Sequence, residues 1–393
     1  MGAQAQETAR DVLAALVGFP TIAGCSNEEL ITFAAERLQS AGARVDVTRG
    51  ARTDGLNLHA VLGPADVPGL LLSAHTDVVA VDGQAWSSDP FTLREADGRL
   101  YGRGTADMKG FIAALLAAVA RWGGGGRRPG LARRPLHVIL SSDEELGCVG
   151  IRPLLATLPA TMVAPELTIV GEPTRLAVAT RHKGKLALRV TVHGRACHSG
   201  RAPEGVNAVE YAARLISALV ELGAQLRTGS RDERFAVPHT TLSTGPIRGG
   251  VALNIVPDLC TFDCEVRPVP RAPTAALRGR IEGLAQKLEA EMATVDDTAR
   301  ITVQTVTEYP GLAGRADDPA AAEIARLAGT VADGALDFGT EAGLIAEAFG
   351  APVLVCGPGD MAQAHRPDEY LELTQLDAAQ ALITRLLERL SVG

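Results

Sequence analysis

The chain has 393 residues, too many for one ordinary hydrophobic core, so two domains are expected. Apolar residues make up 46% and charged residues 21%, a globular mixture that excludes extensive disorder. A net charge of −8 argues against a nucleic-acid partner, and the absence of any apolar run of spanning length argues against a membrane protein.

The first residues, MGAQAQETARDVLAALV, carry neither a basic n-region nor an apolar h-region, and they lack the Ser or Thr at position six of a myristoylation signal. A soluble cytoplasmic protein is expected. Residues 5–17 and 27–42 read as amphipathic helices, the second opened by cap chemistry in Ser26-Asn27-Glu28-Glu29 and facing inward with Leu30, Phe33, Ala34 and Leu38. Strands are expected at Arg44–Val47, Leu56–Leu62 and Leu70–Ser73. The last of these empties into His75 and Asp77. Asp107 then stands at the mouth of a helix expected over Met108–Trp122. After four glycines comes the basic run Arg127–Arg134, read as a solvated loop rather than a binding patch. A strand at 136–142, a helix at Val149–Leu158 and a strand at 167–173 complete an α/β region whose strands are apolar throughout, as in a sheet covered on both faces.

The texture changes near residue 181. KLALRVTVHG alternates strictly, with Leu186, Leu188, Val190 and Val192 on one face. A helix over Asn207–Leu222, strand-like TTLSTGPI and LCTFDCEVRPV, and a helix over Pro273–Met292 follow. This β-α-β-β-α order points to a small ferredoxin-like module at 181–293, inserted between catalytic segments 1–180 and 294–393. The second segment resumes with ITVQTV, helices near Pro319–Thr330 and Glu341–Phe349, the strand PVLVCGPG and a last helix, Leu376–Leu390. The six cysteines show no metal or redox spacing, and Cys260 and Cys264 point to one face of a strand as core residues.

Four apolar runs of the α/β parts end in acidic or histidine side chains. LLLSAHTD delivers His75 and Asp77, and LHVILSSDEE delivers Asp143, Glu144 and Glu145. LTIVGEPT delivers Glu172, and PVLVCGPGDMAQAH leads to His365. Sites in open α/β sheets form beyond the carboxyl ends of strands, so parallel pairing would gather these groups, with Asp107, at one rim. Bare carboxylates so crowded repel one another and rise in pKa. Two divalent ions sharing a carboxylate would neutralise them and activate a water. Each group also has a plainer reading. Asp143–Glu145 can be a solvated turn, Asp107 a charge favoured at a helix N-terminus, and Gly357-Pro358-Gly359 a turn. His59, His137, His182, His193 and His239 read as core or surface histidines, with His182 at the expected hinge.

The runs HTDVV, YGRGTADMKGF, SSDEE, GEPT, HSGRAPEGVNA and AHRPDEYLE, in this order over nearly the whole chain, resemble the metallohydrolase family of acetylornithine deacetylase and succinyl-diaminopimelate desuccinylase. The resemblance implies a zinc-exopeptidase-like catalytic domain with a central mixed, mostly parallel sheet, and an inserted ferredoxin-like α+β dimerisation or lid domain. It implies two divalent metal ions, Zn2+ or in its place Co2+. Asp107 would bridge both, His75 and Glu172 would complete one, and Glu145 and His365 the other. Asp77 would hold His75 through its carboxylate, Glu144 would be the general base, and His198 would reach the scissile carbonyl across a homodimer interface. Asn254 and Arg267 would meet the substrate's carboxylate or its surroundings, and the backbone of Gly357 and Gly359 would line the pocket. GTADMKGF, GEPT, FGTEAG and PDEYLE lean toward hydrolysis of N2-acetyl-L-ornithine to ornithine and acetate, a step of arginine biosynthesis. The alternatives are another N-acyl-amino-acid hydrolase, a desuccinylase or aminoacylase, or a metal-free binding relative, which the intact ligand set disfavours. Gly200 and Arg201 depart from the family pattern, and Arg201 would bear on the preferred substrate side chain.

Overall fold

The computed structural model describes residues 7–51, 54–124, 132–315 and 317–391. Part of the basic run, 127–131, and the first two residues of the first expected helix lie outside the described residues. The chain divides into two compact units, one of residues 1–181, 312–335 and 340–393, the other of 182–311 and 336–339.

The first unit begins with α1 (Ala9–Val17), where the Thr8 hydroxyl accepts from the Asp11 amide and the Asp11 carboxylate accepts from the Thr8 amide. In α2 (Glu28–Ser40), Leu30, Ile31, Ala34 and Leu38 are buried. Of the expected cap chemistry, Ser26 Oγ accepts from Glu28 N at 3.3 Å, while the Asn27 side chain makes no cap bond. The buried Asn27 amide donates to Leu56 O and Thr76 Oγ1 and accepts from Leu56 N, tying the start of α2 to the sheet instead. β1 (Arg44–Arg49), β2 (Leu56–Leu62), β3 (Leu70–His75), β4 (Arg94–Ala96) and β5 (Arg99–Tyr101) follow. α3 (Gly110–Gly124) starts later than the apolar period places it, because Thr105–Lys109 form a separate turn in which Asp107 and Met108 leave helical backbone angles. The segment closes with β6 (Leu136–Ser141), α4 (Arg152–Thr157), β7 (Leu167–Pro173) and β8 (Val178–His182).

In the second unit, β9 (Lys185–His193) buries Leu186, Leu188, Val190 and Val192. α5 (Ala208–Leu226) is capped by the Asn207 side chain, and β10 (Thr241–Gly249) leads to β11 (Leu259–Arg267), which buries Cys260, Phe262, Cys264 and Val266. α6 (Thr274–Met292) then returns the chain to β12 (Arg300–Tyr309). β12 pairs with β9 along its length and gives the antiparallel order β10-β11-β9-β12, the ferredoxin-like arrangement. The sequence pattern places the end of this module at 293 and ITVQTV in the larger domain. The pairing with β9 corrects that boundary, since it carries the unit to residue 311. A short apolar run does not say which sheet it will join.

The first unit resumes with β13 (Leu312–Ala313), α7 (Pro319–Ala328), β14 (Ala332–Leu336), α8 (Ala342–Phe349), β15 (Val353–Gly357), β16 (Tyr370–Glu372) and α9 (Leu373–Arg389). Its main sheet runs β1-β2-β6-β3-β7-β15-β8-β13, with β14 on β8. β6, β3, β7 and β15 are parallel neighbours, while β2 on one side and β8 on the other join antiparallel, so the sheet is mixed with a parallel centre. Every residue of β3, β6 and β15 is buried, which requires cover on both faces. α3 packs against α1, α2 and α9. Gly171 allows one close approach: a Cβ there would stand 2.1 Å from the Phe111 ring of α3. Among the described residues, no helix is long and apolar enough to cross a membrane.

Candidate active site

The four central strands are parallel, so their carboxyl ends share one rim, and each delivers a polar group there. His75 is the last residue of β3, Glu144 and Glu145 follow β6, Glu172 lies at the end of β7, and His365 follows β15. Asp107 enters from the turn before α3, across a cis peptide to Met108. Its carboxylate lies between two imidazoles: Oδ1 is 3.0 Å from His75 Nε2 and Oδ2 is 3.1 Å from His365 Nε2. Glu172 Oε1 lies 3.8 Å from His75 Nε2, and Glu145 Oε1 lies 3.0 Å from His365 Nε2. Glu144 joins the same cluster, with one donor atom each of His75, Glu144 and Glu172 lying within 4.8 Å of one another. Its Oε1 accepts from Cys148 Sγ at 3.1 Å.

Asp77 acts differently from the sequence expectation. His75 Nδ1 faces the backbone carbonyl of Asp77 at 2.9 Å, closer than the Asp77 carboxylate at 3.6 Å. That carboxylate is engaged by the amides of Glu144 and Glu145, each at 3.0 Å. Asp77 therefore fixes the histidine ring through its main chain and the Glu144-Glu145 turn through its side chain. A carbonyl only accepts, so Nδ1 carries a hydrogen, and Nε2 is the ring nitrogen turned to Asp107, the one that would present its lone pair to a bound ion.

The cluster is short of positive charge. Burial, followed by the charge of Asp107, holds the Glu172 carboxyl well above the usual range. Burial pushes Glu144 up to about 8, with Glu145 and Glu341 adding to it, and pushes Asp77 up to about 6. Burial also acts upward on Asp107, but hydrogen bonds from His365 and His75 outweigh it and hold this carboxyl below its usual range. Hydrogen bonds to Asp107 and Glu145 lift His365 to about 10. Burial disfavours a charged His75, yet Asp107, Glu172 and Asp77 together raise it well above an ordinary imidazole. These shifts are those of a donor set built around cations.

Donor spacing fits the same conclusion. Two atoms each about 2.0–2.2 Å from a tetrahedral zinc lie roughly 3.3–3.6 Å apart. The His75–Asp107, His75–Glu172, His365–Asp107 and His365–Glu145 separations span 3.0 to 3.8 Å.

Not every expected residue joins this cluster. Gly357 and Gly359 are buried in backbone packing. Gly357 O accepts from Thr174 N and Leu176 N, Gly359 O accepts from Arg175 N, and a Cβ on Gly357 would stand 2.0 Å from Gly171 O. His198, Asn254 and Arg267 belong to the second unit. There His198 Nδ1 accepts from Gly200 N at 3.1 Å, and Asn254 O accepts from Ser199 N at 3.0 Å, so those two residues share one neighbourhood. Arg267 is already paired, donating to Glu265 Oε1 at 2.6 Å and to Tyr309 OH at 3.4 Å. Arg201 is paired with Glu204 in its own turn. His182 is fully buried, and burial pulls it down to about 4.

Four residues escaped the sequence reading. Cys148 donates to Glu144, and Glu341 is a buried carboxyl pushed up to about 7 by burial. Arg103 and Glu369 form a buried ion pair behind Asp107, with Nη1 to Oε2 at 2.6 Å. All but Cys148 lie within runs noted for their resemblance, yet none has a local pattern that marks its role.

Imidazoles and carboxylates converging at the rim of a parallel sheet are the arrangement of a metal-dependent hydrolase. The chain belongs to peptidase family M20/M25/M40, whose model matches residues 71–389. It is 34% identical to acetylornithine deacetylase of Proteus mirabilis over 365 residues, 92% of this chain and 90% of that one. It is 33% identical over 367 residues to acetylornithine deacetylase of Photorhabdus laumondii, again covering 92% and 90%. Among solved structures, it is similar to a family M20 metallo-carboxypeptidase from Sulfolobus solfataricus, with a TM-score of 0.80 and 17% identity over 97% of this chain and 98% of that one. The chain is thus an enzyme of the amide-cleaving metallohydrolases.

Proposed function

We propose that the enzyme hydrolyses N2-acetyl-L-ornithine to L-ornithine and acetate. The observation that carries the chemistry is the Asp107 carboxylate held between His75 and His365, with Glu144 beside it. The ornithine assignment is supported by the two deacetylase relatives. His75, Asp107 and Glu172 would hold one divalent ion, and Asp107, Glu145 and His365 the other, zinc being the first choice and cobalt a substitute. When bound, the ions acidify a water and polarise the scissile carbonyl. Glu144 takes the proton of the attacking water and returns it to the leaving amine nitrogen. A carboxylate in the cluster that is free of the ions suits both transfers. Asp77 keeps Glu144 and Glu145 turned to different tasks by accepting both their amides.

His198 is assigned as donor to the tetrahedral oxyanion, acting across a homodimer formed by the second unit. Exposed apolar side chains on that unit support the association: Val251 is 85% and Leu253 100% exposed, with Ile247 and Leu259 also exposed. Six free cysteines suit a reducing cytoplasm, where arginine biosynthesis would use this reaction.

The test compares kcat/KM for N2-acetyl-L-ornithine, N-succinyl-diaminopimelate and N-acetyl-methionine. The expected result is a preference for the first of at least about tenfold, the scale that one side-chain site can provide. A reversed order would keep the hydrolase and discard the ornithine assignment.

A further inference from the structure

Glu369 lies four residues beyond His365, and Arg103 four residues before Asp107, and each is only 1% exposed. Glu369 Oε1 accepts two backbone amides, Ala106 N at 2.9 Å and Asp107 N at 3.1 Å. Its Oε2 accepts from Arg103 Nη1 at 2.6 Å, and Arg103 Nη2 donates to Gln84 Oε1 at 2.6 Å. Trp86 Nε1 donates to the same Gln84 oxygen at 3.0 Å, beneath the guanidinium. The surrounding backbone is joined as well. Glu369 O accepts from Gly102 N at 3.0 Å, β16 pairs with β5, and Asp368 Oδ1 accepts from Ser87 N at 2.9 Å.

A buried ion pair by itself asks only that its charges be matched. This one does more. Asp107 has φ −122° and ψ 94°, so no helix fixes its peptide, and its amide still needs a partner. Glu369 supplies that partner for Asp107 and for the residue before it. The distance that Asp107 can reach between the two imidazoles is therefore set from the loop that also carries His365.

We propose that Glu369, held in place by Arg103, is a positioning residue for the bridging carboxylate and thereby controls affinity for the second ion. The inference rests on the two-ion reading of the site. Residues that orient ligands in this way change metal affinity by roughly 10–100-fold when removed.

Metal-free wild type, Glu369→Gln, Glu369→Ala and the double variant Arg103→Met/Glu369→Leu would be titrated with Co2+. The readouts are the visible cobalt spectrum, the stoichiometry, and the thermal midpoint before metal is added. Wild type is expected to take two ions. The Gln variant, whose amide oxygen still accepts from both N–H groups, should weaken the second ion by less than about tenfold. The double variant leaves no unpaired buried charge, so it should recover the fold but keep the full loss of affinity and an altered spectrum. A folded double variant that binds both ions as wild type does would reduce the pair to charge neutralisation and overturn the proposal. If Glu369→Ala does not fold, the Gln and double variants still decide. Wild type taking fewer than two ions would instead overturn the two-ion reading, and the inference with it.

Discussion

Glu144 and Glu145 are neighbours whose carboxylates serve different partners, Cys148 Sγ for the first and His365 Nε2 for the second. Replacing Glu144 by Ala should lower kcat by about 10²–10⁴ while two ions remain bound, as measured by metal analysis. Loss of one ion would make Glu144 a ligand. Away from the cluster, His59 Nε2 and His137 Nδ1 are 3.1 Å apart with stacked, buried rings. Burial, then the charge of His59, pulls His137 from 6.5 down to about 4. The unfolded chain binds this proton more readily than the folded one between those values. Stability is therefore complete above about pH 6.5 and is lost as pH falls toward 4, by roughly 2 kcal/mol at about pH 5. Denaturant midpoints should show that loss, and His137→Gln should flatten it. An unchanged slope in the variant would place the pH dependence elsewhere.

At the scale of elements, four parallel strands do the gathering, and their apolar runs with polar ends were legible because a buried strand leaves a continuous signature in sequence. The turn at Thr105–Lys109 was not legible, and neither was the Arg103–Glu369 pair. Their hydrogen bonds join residues 262 to 266 positions apart and leave no periodic trace. The Asn27 side chain shows the same limit: beside a helix start, it is held by partners 29 and 49 residues away. The packing of β7 on α3 offers a direct test. Gly171→Ala would put a methyl 2.1 Å from a buried ring, so a loss of about 1–3 kcal/mol is expected in chemical unfolding. Weaker metal binding should accompany it, because Glu172 is the next residue. Unchanged stability would mean that Phe111 yields without cost.

The whole molecule is built around two separate cores, one spanning the first unit and one made of residues from Leu186 to Ile301. The second closes on itself through β12, so residues 182–311 made alone should fold and unfold cooperatively, as followed by circular dichroism. A disordered product would show that the module depends on its host. The β-α-β-β-α order that follows strictly alternating β9 points to the module, while its last strand, β12, carries no local mark of the sheet it joins. Cobalt add-back probes whether the cluster in the first unit is the metal centre on which acetylornithine hydrolysis depends. Chelator-treated protein is titrated with Co2+ while acetate release from N2-acetyl-L-ornithine is followed. Turnover should be absent without metal and rise to a plateau by two equivalents per chain. Undiminished turnover after chelation, or folded two-ion protein that leaves the substrate untouched, would contradict that dependence.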